Sequence, residues 1–163
     1  MVGDFVVYRS SMRLLESLLG VLAISAASLG AVVLNEVELN PPDDGTEWVE
    51  LYNNGAEDVD VGRWSVWIVD QNPTWTGVIP IPKDTSIPAG GYYVAEGDRQ
   101  WIHTTGTGTV ILKTDGGAVV DESPSLNDNS NNFFTNFRYP NGVDTDQRSD
   151  WIFGRGTKNS SNS

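Results

Sequence analysis

The sequence predicts an all-β domain, a sandwich or barrel of about eight short strands behind an apolar N-terminal segment. Three observations predict it. All eight prolines and 14 of the 17 glycines lie beyond residue 31, so that part of the chain turns often. No stretch there repeats apolar residues at three- and four-residue spacing, which a helix needs in order to bury one face. Short runs instead alternate apolar and polar side chains between turn-forming clusters, as half-buried strands do.

Residues 1–30 are a unit of their own. Six leucines fall within the 19 residues Met12–Gly30, against five in residues 31–163. The 18 residues Ser17–Leu34 carry no charge, follow Arg9 and Arg13, and run through the small residues Ser28, Gly30 and Ala31. A positive flank, an apolar run and a small-residue site make a secretory signal peptide, with cleavage expected between Ser28 and Val32. The alternative is an uncleaved membrane anchor through residues 12–34, because 18 uncharged residues reach the length of a short spanning helix. Glu16 interrupts the pattern, and Met12 is an alternative start to Met1. Either reading leaves the rest of the chain outside the cytoplasm, secreted or at the cell surface.

The strands follow in order. Val33–Leu39 alternates Val37 and Leu39 against Glu36 and Glu38, and Pro41-Pro42 ends it. Glu47–Tyr52 sets Val49 and Leu51 on one face and Trp48, Glu50 and Tyr52 on the other. After the Asn53-Asn54-Gly55 turn come Val59–Val61 and Trp64–Val69, then a long loop from Asp70 to Ser86. Tyr92–Ala95, Thr109–Lys113, Ala118–Val120, Phe133–Tyr139 and Trp151–Phe153 complete the set, with an Asp115-Gly116 hairpin turn between two of them. Strand periodicity assigns Val49, Leu51, Trp64, Val66, Tyr92, Val94, Ile111 and Val119 to the core.

Composition narrows the chemistry. Among 163 residues, 10 basic and 22 acidic side chains give a formal charge of −12, which opposes phosphate backbones, so no nucleic acid partner is expected. The chain has no cysteine, which removes disulfides, thiolate metal sites and thiol nucleophiles. Its one histidine, His103, sits in a loop sequence with no oriented nucleophile in any motif. Glu47 and Glu50 are three apart on a strand and point to opposite faces, so they are no carboxylate pair. Ser123 and Ser125 flank Pro124 without a nucleophile elbow.

Several segments carry a family resemblance. Glu47-Trp48-Val49-Glu50-Leu51-Tyr52-Asn53 resembles the signature strand of the lamin tail domain, and Val33-Leu34-Asn35-Glu36-Val37 with Asn40-Pro41 resembles its opening strand and turn. Asp60-Val61-Gly62-Arg63-Trp64-Ser65-Val66 is similar to its Asp-Leu-Ser-Gly-Trp-Ser-Leu segment, and Ile87-Pro88-Ala89-Gly90-Gly91-Tyr92 to its Pro-x-Gly-Gly approach to a central strand. Arg138, Pro140 and Gly142 match an Arg-x-Pro-x-Gly stretch, while Gly156 and Asn159 echo a closing Pro-Gly-x-x-Asn. Gly62-Arg63 in place of Ser-Gly and Arg155 in place of the closing proline are departures. The resemblance, to the exported prokaryotic type of lamin tail domain, implies an immunoglobulin-like β-sandwich over residues 31–159, followed by a polar tail, 160–163. It also implies a module without catalytic apparatus, of a kind often attached to surface enzymes. No such enzyme is expected in this chain, which the sandwich fills.

The expected function is therefore an exported, non-catalytic interaction or structural module that contacts a cell-surface protein or glycan. The alternative is a carbohydrate-binding module that stacks sugars on loop tryptophans, Trp75, Trp67 and Trp101, and a third reading is a metal-dependent hydrolase. No cofactor is expected beyond calcium, for which Asp144, Asp146 and Asp150 are the candidate ligands. Asp43, Asp44 and Glu47, Asp121 and Glu122, and Asp128 are further acidic groups. The Asn159-Ser160-Ser161 sequon is a glycan acceptor if the host modifies exported proteins.

Overall fold

The computed structural model describes residues 31–43, 45–71, 76–97 and 107–163. The expected signal or anchor segment, Asp44, Trp75, Trp101 and His103 lie outside the described residues. Among the described residues there are twelve strands: β1 (Val32–Glu38), β2 (Trp48–Asn53), β3 (Val59–Asp60), β4 (Ser65–Asp70), β5 (Thr76–Pro80), β6 (Ser86–Ile87), β7 (Tyr92–Glu96), β8 (Thr107–Lys113), β9 (Val119–Glu122), β10 (Leu126–Asn127), β11 (Phe134–Arg138) and β12 (Trp151–Arg155). No helix among the described residues is long and apolar enough to cross a membrane.

One sheet has five antiparallel strands in the order β12-β11-β1-β2-β7. The second runs β10-β8-β4-β5, with β9 also pairing to β8, and β3 pairs with β6. Val32, Leu34, Val37, Val49 and Leu51 of the first sheet pack against Val66, Ile68, Ile79, Val110, Leu112 and Leu126 of the second. This is the immunoglobulin-like β-sandwich, with two apolar inner faces closing one core.

A register shift between Leu34 and Glu36 places Asn35 in a bulge on β1. The extra residue changes which side chains face inward: Val32 and Leu34 lie in the core before it, Val37 and Leu39 after it. Glu36 and Glu38 therefore fall on the outer face, and cross-strand pairing of Glu38 with Trp48 puts those two side by side there.

Val49, Leu51, Trp64 and Val66 are buried as expected. Tyr92, Val94, Ile111 and Val119 are not in the core. On β7 it is Tyr93 and Ala95 that face inward, on β8 Val110 and Leu112, and on β9 Val120, while Val119 is 57% exposed. These strands carry apolar residues on both faces, so alternation alone did not fix their phase. The expected loop from Asp70 to Ser86 contains β5, whose Gly77, Val78 and Ile79 pair with Ile68, Trp67 and Val66 of β4.

Candidate functional site

The outer face of the five-stranded sheet is polar and covered. Its cover is the C-terminal segment after β12, which lies across β1 and β2 and bonds to two buried carboxylates. Glu36 accepts bonds from Thr135 Oγ1 at 2.7 Å, from Thr157 N at 2.8 Å and from Thr157 Oγ1 at 2.9 Å. Glu50 accepts from Asn35 Nδ2 at 3.0 Å and from Asn159 N at 2.6 Å. Asn162 ends the clasp: its Nδ2 donates to the carbonyls of Asn35 and Arg138 at 3.1 and 2.9 Å, and its backbone N–H to Asn141 Oδ1 at 2.9 Å. Residues 160–163 thus include a buried anchor, Asn162. Gly142 lies beside this network at φ +67°, and a Cβ there would come within 2.4 Å of the Tyr52 ring, so glycine is the residue this turn accepts.

Beside the clasp a cleft of about 370 Å³ opens between Trp48 and Phe133, with Pro41 and Pro42 on its wall and Glu38 also lining it. The Pro41-Pro42 turn that ends β1 and the chain leading into β11 bring these side chains together. Lys158 of the clasp places its ammonium 4.9 Å from the centre of the Trp48 ring and pairs with Glu96 of β7. Trp48 is half-buried and Phe133 is 71% exposed.

Burial governs the acids here. It pushes Glu38 up to about 8, and the bond Asn40 N–H donates to it only partly offsets this. Burial likewise raises Asp128, which shares a hydrogen bond with Glu38. Two carboxylates can hydrogen-bond only if one keeps a proton, and Glu38 keeps it. Glu50 is pushed up to about 7 by burial, against the bonds from Asn35 and Asn159.

Of the residues singled out from sequence, Asp144 and Asp150 converge on Arg138 of β11. The guanidinium Nη1 lies 2.8 Å from Asp144 and 3.4 Å from Asp150, while Nη2 donates to both oxygens of Asp121 on β9 at 3.0 and 3.1 Å, and Nε to the Leu34 carbonyl at 2.7 Å. Asp121 also accepts the Leu34 N–H at 2.7 Å. Burial raises Asp121 in spite of Arg138. At Asp150 the desolvation is outweighed by the Thr145 hydroxyl and amide, the Gln147 amide and Arg138, so its carboxyl titrates below the usual range. Asp146 is exposed and gives its N–H to Asp144 Oδ1. Among the described residues no group of three His, Cys, Asp or Glu is arranged to hold a metal ion. Trp67 lies on the outer face of the second sheet, with its indole N–H on Ser65 Oγ at 2.9 Å and Lys113 Nζ 3.9 Å from its ring centre.

Sequence reasoning passed over Trp48, Glu96, Phe133 and Lys158. The signal for Trp48 was present, since alternation along β2 already set it opposite Val49 and Leu51. What brings Phe133 and Lys158 to it is tertiary, because each lies more than 80 residues away in sequence.

No curated protein matches the chain in sequence. The family model described as Lamin Tail Domain matches residues 25–132, well over half of the chain, and takes in β1 to β10. The two packed antiparallel sheets agree with the immunoglobulin-like sandwich of that non-catalytic family, so the chain belongs to the lamin tail domain family.

Proposed function

We propose that the chain is an exported, non-catalytic interaction module of the cell surface that contacts a surface protein through the β12 edge of its five-stranded sheet. One observation carries the reading. Phe134 and Phe153 pack ring to ring at 5.8 Å at the β12 edge and are 43 and 41% exposed, with Phe133, 71% exposed, and Ile152, 42% exposed, on the other face of the same edge, so large apolar side chains line one rim of an otherwise acidic molecule. Exposed apolar clusters of this kind, next to an edge strand with unpaired backbone groups, are what protein partners bury. The N-terminal segment supports export, because Val32 already packs in the core and processing no later than that residue leaves β1 whole.

The test is a photo-cross-linking side chain placed at Phe153, with the protein expressed in its own cells and intact cells labelled by a membrane-impermeant biotin reagent. The expected result is surface labelling, a mature N-terminus between Ser28 and Val32, and a cross-linked protein that Phe134→Ser, beside Phe153, abolishes. A cytosolic, unlabelled product would overturn export, and an uncross-linked monomer at the surface would overturn the interaction.

A further inference from the structure

We propose that the cleft between Trp48 and Phe133 is a seat for a lysine-bearing protein segment, filled within the chain by Lys158 and open to a partner's lysine when Lys158 swings out. The proposal rests on the reading of the chain as an interaction module and names the chemistry of what it holds.

The occupant's chemistry is visible in the molecule itself. The stretch 156–162 is a peptide docked on the outer face: its backbone N–H groups at Thr157 and Asn159 end on Glu36 and Glu50, and its one lysine reaches into the cleft. That ammonium meets two groups that hold a cation, the face of an indole and a carboxylate, Trp48 and Glu96. The fixation is uneven. Thr157, Asn159 and Asn162 are held by bonds to buried groups, whereas the Lys158 side chain is 36% exposed and Glu96 52%, so the lysine can leave while the clasp stays docked. The cleft continues past Lys158 to Pro41, Pro42 and Phe133, with about 370 Å³ for the alkyl stem and neighbours of an incoming side chain. A chain of net charge −12 favours a cationic partner at long range.

An ¹⁵N NMR titration with acetyl-Gly-Gly-Lys-Gly-Gly-amide decides it, read at the backbone N–H groups of Thr46 and Gly156, which line the cleft and are unchanged in every variant. Lys158→Ala vacates the seat and should bind this peptide about fivefold more tightly than the wild type, the factor expected when one such contact no longer competes. The same peptide with norleucine, which keeps the alkyl stem and loses the charge, should not bind. Glu96→Gln, at an exposed position, should return the Lys158→Ala affinity to the wild-type level or below, and Trp48→Leu should abolish binding. If Trp48→Leu does not fold, Glu96→Gln decides alone. Equal binding of the norleucine peptide, or no gain in Lys158→Ala, would overturn the lysine seat. A partner still captured through Phe153 would then leave the interaction reading standing, so the two failures are distinct.

Discussion

At the scale of single residues, the sandwich depends on one aliphatic side chain that sequence found and one arginine that it placed only by resemblance. Leu51 has no solvent exposure and sits between the sheets. Leu51→Ala should cost about 2–5 kcal/mol through lost burial and a residual cavity, measured by urea denaturation. Its position was legible because β2 alternates cleanly, with polar or amphipathic side chains at 48, 50 and 52. Arg138 is different, because nothing in its neighbourhood announces burial. It is about 1% exposed and joins Asp121 of the second sheet to β11 of the first, with Asp144 and Asp150 on the same guanidinium. A charge is tolerated there only because three carboxylates meet it, Asp121 from the second sheet and Asp144 and Asp150 from the stretch between β11 and β12, a convergence on one guanidinium that spacing along the chain does not reveal. Arg138→Leu should destabilise by about 3–5 kcal/mol, since it leaves Asp121 buried without its counter-charge. Asp146→Ala, at an exposed site, should change stability by less than about 0.5 kcal/mol in the same assay.

At the scale of elements, β1 and its cover set the pH response. The bulge at Asn35 turns Glu36 and Glu38 outward, and β2 adds Glu50, so three acids lie on a face that sequence alone would leave to solvent. The clasp that buries two of them comes from the end of the chain, a stretch whose serines and asparagines read as a loose tail because their partners are more than 100 residues away. Folded Glu38 titrates near 8 and Glu50 near 7, both above the ordinary glutamate value, so the folded chain holds more protons than the unfolded chain between about pH 5 and 8. Their contribution is therefore complete below about pH 4 and is lost as pH rises through 7 and 8. The slope is at most about 1.4 kcal/mol per pH unit for each proton. Asp150 acts in the opposite sense, with stability present above its unfolded value and lost as pH falls through its depressed folded one. Denaturation midpoints should accordingly decline from pH 5.5 to 8.5. Glu38→Gln, which keeps a donor toward Asp128 without an ionisable proton, should flatten that decline and exceed the wild type at pH 8.5. An unchanged slope in Glu38→Gln would place the titration elsewhere.

At the scale of the whole molecule, the fold was more legible than the surface it offers. Turn chemistry, short alternating runs and the β2 segment suffice for a sandwich, because those patterns are local. The cleft at Trp48, the β12 rim and the Arg138 cluster are assembled from segments that only the fold brings together. Charge is the global property that sequence does state, and it leads to a prediction that also bears on the expected calcium ligands. A net charge of −12 repels itself more in the compact state than in the unfolded chain, so screening should favour folding. Raising sodium chloride from about 20 mM to about 1 M should lift Tm by about 3–6 °C if screening recovers about 1 kcal/mol. Buried Arg138 with Asp121 is shielded from that salt, so the gain should persist in variants of exposed pairs such as Arg63→Ala. Calcium separates screening from ligation. At constant ionic strength, 1 mM calcium chloride should add no further rise, because Asp144 and Asp150 already share the Arg138 guanidinium. A calcium-specific increase in Tm that Asp146→Ala removes would show instead that Asp144, Asp146 and Asp150 reorganise around the ion.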